Sequence, residues 1–222
     1  MKVSGSSKLP EGKIAEELVS SGSTRINGNL ECEGFKSSGS LKGSGNLTVN
    51  GNFRCSGSFN LAGSVSVNGN AKSSGSTTIN GEFFINGEYS KAGTLRVGKQ
   101  LEAINGVKIS GYTKIQGNLL SKKDVELKGS SIIEGNIKAE NVFIGMPIDP
   151  RPIKHPYKIH GNIVADNKVD IKRTLVAGDI EGRDVKIGIG TEVRGEVFYI
   201  DSIEVSSLAA LAKKPVQIKD EK

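Results

Sequence analysis

Apolar and polar residues alternate along most of this 222-residue chain, and glycine interrupts the alternation at a fixed interval. Between Gly39 and Gly93 a glycine recurs at every sixth position without a gap. Within each unit, apolar side chains stand four and two positions before the glycine, as in Val65-Ser-Val67-Asn-Gly69. A period of two predicts short strands with one buried face. The glycines predict a corner after each strand, because glycine accepts left-handed backbone angles. The proposed structural corners are Gly51, Gly69, Gly87, Gly117 and Gly135.

The six-residue units fall into three classes, and every third unit belongs to the same class. One class comprises Val49-Asn-Gly-Asn52, Val67-Asn-Gly-Asn70 and Ile85-Asn-Gly-Glu88. Three units per coil, with like stacked on like, predict a three-sided parallel β-helix whose coils pair at about 4.8 Å. The same stacking predicts an outward amide ladder of Asn50, Asn68 and Asn86.

The repeat predicts one all-β domain over residues 23–205, with roughly nine to ten coils of 17–18 residues. After Lys99 the glycine rule loosens, although Gly161, Gly178 and Gly195 keep a spacing of 17. Residues 146–156 hold four prolines, which predict an excursion from the helix, because proline cannot occupy a central strand. We expect residues 1–22 to form a tail or cap, and residues 206–222 a short helix and a charged tail.

Units of the type Val176-Ala-Gly-Asp-Ile180 resemble those of the bactofilins, which are polymer-forming bacterial cytoskeletal proteins. The resemblance covers about Ser23 to Ile200. It implies a right-handed β-helix and nucleotide-independent filaments that form end to end. It also implies a scaffold in the cytoplasm or at the inner face of the membrane, with membrane-associated or cell-envelope proteins as partners. Periodicity alone does not give the handedness.

Two other functions are compatible with the pattern. The left-handed β-helix of hexapeptide acyltransferases also has 18-residue coils, but there the glycine follows the aliphatic residue directly, whereas Gly51 comes two positions after Val49. The general base of such an enzyme would have to be His155 or His160, the only histidines. The other alternative is a non-catalytic solenoid that binds a surface through its polar ladders. We predict no enzyme, and no cofactor, metal site or small-molecule substrate.

Charge and cysteine content add little chemistry. Thirty Lys and Arg residues against 24 Asp and Glu give a net charge of +6, and both signs are interspersed, which predicts a solvated surface and no nucleic-acid partner. Cys32 and Cys55 are too few for a disulfide framework, and the pattern places Cys55 inward and Cys32 outward. The segment from Met1 to Lys13 lacks an apolar stretch, so we expect the protein in the cytoplasm.

The ends of a β-helix carry unpaired backbone groups and exposed core side chains, so they predict a surface for self-association into a homopolymer. We expect the first coil to expose Ile26 and Leu30. The last coil carries the densest apolar cluster of the chain. The predicted polymer interface therefore consists of Ile26, Leu30, Val193, Val197, Phe198, Tyr199 and Ile200.

Overall fold

The computed structural model describes residues 1–145 and 157–220, which fold into parallel stacked coils of strand and turn, with no helix. This confirms the predicted all-β solenoid, with about 11 turns rather than nine to ten. The proline-rich segment 146–156 lies outside the described residues. The strands are β1 (Lys2–Val3), β2 (Ser6–Leu9), β3 (Gly12–Ser20), β4 (Ser23–Ile26), β5 (Leu30–Ser37), β6 (Ser40–Gly43), β7 (Leu47–Val49), β8 (Phe53–Leu61), β9 (Val65–Val67), β10 (Ala71–Ile79), β11 (Phe83–Ile85), β12 (Tyr89–Ala92), β13 (Thr94–Val97), β14 (Leu101–Ala103), β15 (Val107–Ile115), β16 (Leu119–Leu120), β17 (Val125–Ile133), β18 (Ile137–Ile144), β19 (Tyr157–Ile159), β20 (Ile163–Ile171), β21 (Thr174–Val176), β22 (Ile180–Ile187), β23 (Glu192–Val193), β24 (Val197–Val205), β25 (Ala210–Leu211) and β26 (Val216–Gln217).

Each strand in the body of the solenoid pairs in parallel with the strand one coil before it and the strand one coil after it. In the middle of the chain the partners stand three six-residue units apart, as for Val49, Val67 and Ile85. Further on the coil is shorter by one position, as where Ile163 pairs with Ile180. These registers agree with the spacings in the sequence. The right-handed winding implied by the resemblance stays a prediction.

The core is a set of ladders in which side chains of successive coils stack along the axis. Alternate residues of each strand are buried, as the period of two predicts. Most of the buried aromatic residues lie in the early coils, where the rings of Phe35 and Phe53 stack with their centroids 5.0 Å apart and Phe83 meets Tyr89 edge to face at 5.0 Å. One long ladder consists of Leu9, Ile26, Gly43, Leu61, Ile79, Val97, Ile115, Ile133, Ile159, Val176, Val193 and Leu211.

The corner glycines are required for a different reason from the one that the sequence suggested. Gly51, Gly69, Gly87, Gly117 and Gly135 lie at bends, but none of them has a left-handed φ. A Cβ on Gly69 would instead stand 2.6 Å from Asn52 Oδ1 and 2.7 Å from the carbonyl oxygen of Gly51. Close stacking of successive coils therefore excludes a side chain there. A left-handed φ occurs at a different corner, for example at Gly75 (+85°), within the long strand β10.

The amide ladder is displaced by two residues from its predicted position. The structure has no stack of hydrogen bonds joining Asn50, Asn68 and Asn86 among its described residues; Asn50 Nδ2 donates to Glu31 and Glu33 instead. The ladder forms one position after the corner glycine, where each side-chain oxygen accepts from the backbone N–H of the next coil. These bonds are Asn52 to Asn70 (2.9 Å), Asn70 to Glu88 (2.9 Å), Asn118 to Asn136 (2.9 Å), Asn136 to Asn162 (2.8 Å), Asn162 to Asp179 (2.9 Å) and Asp179 to Glu196 (2.7 Å).

Both terminal segments belong to the solenoid, which corrects the predicted domain ends. Residues 1–22 are not a tail: they form β1 to β3, and Leu18 is fully buried in the core. The expected short helix does not form in residues 206–220, the part of this segment that the structure describes. Its Ala-Leu run has good helix propensity, but Leu211 pairs with Val193 and continues a core ladder, so tertiary pairing overrides local preference.

Val67 tests the stacked core. It is fully buried between Val49 and Ile85. We expect Val67→Asp to lower the free energy of unfolding by about 4 kcal/mol or more, because it buries a carboxylate without a partner. Urea unfolding followed by circular dichroism measures the loss. Ser66→Asp, at the neighbouring outward position, is the control and should stay within about 1 kcal/mol of wild type. Equal effects of the two variants would contradict the assigned register.

Candidate functional site: the two ends of the solenoid

The amino-terminal end of the solenoid is an open sheet edge. Strands β1 and β2 pair only with the following coil, through β3 and β4, and Gly12 to Ile14 of β3 pair only with β5. One side of each of these segments therefore presents backbone groups that no described strand covers. The apolar side chains at this end are Val3 and Ile14, which are half-buried, and Leu9, which is 4% exposed.

The carboxy-terminal end is open in the same way. Among the strands of the described residues, β25 and β26 pair only with the preceding coil, through β23 and β24. Two large apolar side chains are exposed here: Val205 is 43% exposed and Leu208 66%. Val216, 44% exposed, is in register with Phe198 and faces the side of the rod. Apolar side chains exposed beside an unpaired strand edge favour an interaction surface. The end of the solenoid is therefore both an unpaired edge and an apolar surface.

The two ends match when the ladders are followed from first member to last. The ladder that begins at Val3 ends at Val205. The ladder that begins at Leu9 ends at Leu211, with the intermediate members given above. If a second copy continued the coils in register, Val205 would lie against Val3, and Leu211 against Leu9. Both contacts are aliphatic on aliphatic, like the pairing of Val176 with Val193 inside the chain.

Ion pairs hold the last coil against the one before it. Arg183 Nε donates to Asp201 Oδ2 at 2.8 Å, and its Nη1 donates to Asp220 Oδ2 at 2.5 Å. Lys213 Nζ contacts Glu196 Oε1 at 2.6 Å. Because exposed ion pairs contribute little to stability, the main contact that holds residues after 206 as a coil is the pairing of β25 and β26 with β23 and β24.

The predicted interface residues lie close to the ends but mostly not on them. Ile26 and Leu30 are buried in the second coil, because β2 and the start of β3 cover them. Val193 and Val197 are likewise buried, under the coil that carries β25 and β26. Phe198 faces outward beside Val216, on the side of the rod, so it is not an end residue. The half-buried residues Tyr199 and Ile200 complete the predicted set.

Sequence reasoning missed the residues that do form the ends: Val3, Leu9 and Ile14 at one end, and Ile203, Val205, Leu208 and Leu211 at the other. A signal was present. Leu9 precedes Ile26 by one coil, and Leu211 follows Val193 by one coil, so the coil period extends beyond the assigned boundaries. The weak glycine pattern in these segments hid it.

The histidines and cysteines form no catalytic arrangement in the described parts of the chain. His160 is exposed, and its Nδ1 lies 3.5 Å from Glu134 Oε2, whereas His155 lies outside the described residues. Cys32 is buried, which corrects its predicted outward position, and burial raises the pKa of its thiol to about 12. Burial also raises the pKa of Cys55. Over residues 1–145 and 157–220, no three His, Cys, Asp or Glu side chains are grouped to hold a metal ion, and no helix could span a bilayer.

Lys91 is the one basic side chain that points into the core among the described residues. Only 3% of it is exposed, and its Nζ donates to the carbonyl oxygen of Gly75 at 3.0 Å and to Thr77 Oγ1 at 3.1 Å. Next to it, the hydroxyls of Ser73 and Tyr89 are 2.9 Å apart. Burial lowers the pKa of the Lys91 amine to about 8. The amine thus occupies a polar pocket within the aliphatic ladders.

This lowered pKa makes stability depend on pH. Between pH 8 and pH 10.5 the Lys91 amine is protonated in the unfolded chain but neutral in the folded chain. The free energy of unfolding therefore rises as the pH rises from 8 to 10.5, and it is lowest below pH 8. When urea unfolding is measured at pH 8 and at pH 10.5, we expect the free energy of unfolding of wild type to increase by on the order of 1–2 kcal/mol more than that of Lys91→Met. Lys42→Met, at an exposed position, should follow wild type. A pH profile that Lys91→Met leaves unchanged would show that the amine is not desolvated.

Comparisons with known proteins give no further evidence on function. No protein-family model, no curated protein and no solved structure matches the chain. The functional argument therefore rests on the ends and faces of the solenoid.

Proposed function

We propose that this protein is a self-assembling scaffold whose copies stack head to tail into nucleotide-independent filaments. The observation that carries the proposal is the match between the two open ends. Among the described strands, each end leaves one strand edge unpaired, and the ladders that start at Val3 and Leu9 finish in aliphatic residues, Val205 and Leu211. A second copy can therefore extend both the strand pairing and the core.

The physical chemistry of the ends favours association. An uncovered strand is a template for another strand, and natural solenoids cover their terminal repeats with polar or helical caps. Here the expected carboxy-terminal helix is replaced by β25 and β26, and Val205 and Leu208 are exposed at this end. Docking would remove this apolar surface from water and satisfy the free backbone groups without any nucleotide.

The resemblance to bactofilins points to the same role and supplies its biological setting. On this proposal the winding is right-handed, and the filaments form in the cytoplasm or along the inner face of the membrane. There they would present repeated faces to membrane-associated or cell-envelope proteins. The role is mechanical, so no catalytic residue or cofactor is assigned to it.

The first test removes the apolar contact at one end. We expect wild type to form filaments in negative-stain electron micrographs and to sediment as a concentration-dependent polymer. Val205→Glu should sediment as a monomer with an unchanged circular dichroism spectrum, because the side chain is exposed in the single chain but would be buried without a partner after docking.

The matched control for this test lies on the side of the rod. Ile132 is half-buried on an outward position between Lys114 and Lys158, so Ile132→Glu makes the same chemical change away from the ends. It should assemble as wild type does. The proposal fails if wild type remains monomeric at high concentration, or if the two variants lose assembly equally.

A second test fixes the register of docking. In the proposed contact Val3 and Val205 are neighbours in one ladder, about 4.8 Å apart at Cα, within the range that a disulfide spans. We expect Val3→Cys/Val205→Cys to form a ladder of covalent oligomers on mild oxidation, seen on a non-reducing gel. The two single variants are the controls and should remain monomers on the gel, because in head-to-tail docking a single cysteine has no cysteine opposite it. Formation of dimers alone by the double variant would indicate head-to-head docking and contradict the proposed polarity.

A further inference from the structure

A shallow trough runs along one lateral face of the rod, across several consecutive coils. It consists of two depressions, with volumes of about 210 and 290 Å³, which share Lys72 and Ser74. We call it the basic trough. A column of cations lines it, formed by Lys36, Arg54 and Lys72. Beside it runs a column of short side chains, formed by Ser56, Ser74 and Ala92. The far end is closed by Glu126 and Lys128, which pair with each other at 2.8 Å.

Three cations stack along the basic trough and form no ion pair with an acidic side chain in the described residues, although Glu88 lines a neighbouring depression with Arg54 and Lys72. Lys36, Arg54 and Lys72 are exposed and lie in direct register on successive coils. In the described parts of the chain none of the three forms an ion pair, whereas the next cation, Lys108, contacts Glu88 at 3.1 Å. Like charges placed directly opposite on neighbouring strands are destabilising. A bound anion would relieve this repulsion.

The floor of the basic trough is small and partly apolar. A column of short side chains runs beside the cations, and two of them, Ser56 and Ser74, are paired in register. The larger depression is lined by Ala92 and by two core residues, Ile109 and Lys91, and the amine of Lys91 is turned away to the carbonyl oxygen of Gly75 and to Thr77. The aliphatic stems of the flanking lysines form apolar walls. The larger depression therefore suits one aliphatic side chain, with cations on either side of it.

We propose that the basic trough binds an acidic linear peptide segment of a partner protein, with an aliphatic residue in the larger depression. Glutamate or aspartate carboxylates of the segment would contact Lys36, Arg54 and Lys72, and Arg54 can hold a carboxylate through two parallel hydrogen bonds. The serine hydroxyls can donate to and accept from the peptide backbone. The site is lateral, so it remains accessible when the ends of the rod are occupied.

Other anionic partners fit this surface less well. Non-specific binding of single-stranded nucleic acid uses aromatic side chains on which bases stack, and no lining residue of the two depressions is aromatic. An anionic membrane is flat, whereas the cations line a concave surface. Strand addition is also excluded here, because the backbone groups of β8 and β10 are already paired on both edges. Recognition must therefore come from side chains.

The test measures binding of a fluorescein-labelled twelve-residue peptide, in which one leucine is flanked by glutamates, by fluorescence polarisation at low and physiological salt. We expect binding to wild type that weakens with salt. The variant Lys36→Gln/Arg54→Gln/Lys72→Gln should bind at least tenfold more weakly. A matched control, Lys99→Gln/Lys122→Gln/Lys138→Gln, removes the same charge from other exposed positions and should bind within twofold of wild type.

Two further measurements test whether an aliphatic side chain of the peptide occupies the larger depression. Ala92→Phe fills the larger depression without changing charge, and it should weaken binding of the leucine peptide but not of the same peptide with serine in place of leucine. Equal losses in both triple variants, or no binding by wild type at low salt, would overturn the proposal. Tighter binding of a twelve-nucleotide thymidine single strand than of the peptide would overturn it in favour of a nucleic-acid site. All variants change exposed side chains, and circular dichroism verifies their fold. None of these measurements depends on filament formation.

Discussion

Parallel pairing between successive coils, at about 4.8 Å, is the constraint on which the whole structure depends. It places most strand residues of the body directly above a counterpart one coil earlier, so each of these side chains must fit between two similar neighbours. Aliphatic residues then form continuous ladders inside the rod. The corner glycines follow from the same distance, because a Cβ at Gly69 would collide with the coil below it.

Stacking also decides how polar groups enter the structure. At the corners, side-chain oxygens such as those of Asn70 and Asn136 accept from the backbone of the next coil, so the same bond recurs along the rod. Inside, a charged residue is tolerated where a neighbouring coil offers it partners. Lys91 meets this condition because its amine donates to the carbonyl oxygen of Gly75 and to Thr77. Its pKa is lowered because burial disfavours the charged form of the amine.

A one-dimensional stack has two kinds of surface, and each supports a different kind of interaction. At the ends, one edge of each described terminal strand is unpaired, and aliphatic residues such as Val205 are exposed. On the sides, the strands are paired on both edges, and a residue type can be repeated at coil spacing, as in the column of Lys36, Arg54 and Lys72. Assembly through the ends and recruitment through the sides are therefore compatible in one molecule.

The sequence by itself determined the fold class, the coil length and the inward positions of most core residues, because period-two alternation and the glycine interval are local and repeated. It did not determine where the solenoid begins and ends. Residues 206–213 have the local preferences of a helix, and only the pairing of Leu211 with Val193 makes them a coil. The sequence predicted that the candidate site lies at the coil ends, but it placed that site one coil too far inward, at Ile26 and Val193. The reason is that the terminal repeats lack the regular glycine. The basic trough was not predicted at all. Its cations are separated by whole coils in the chain, among charges of both signs, and only the stacking of coils brings them together.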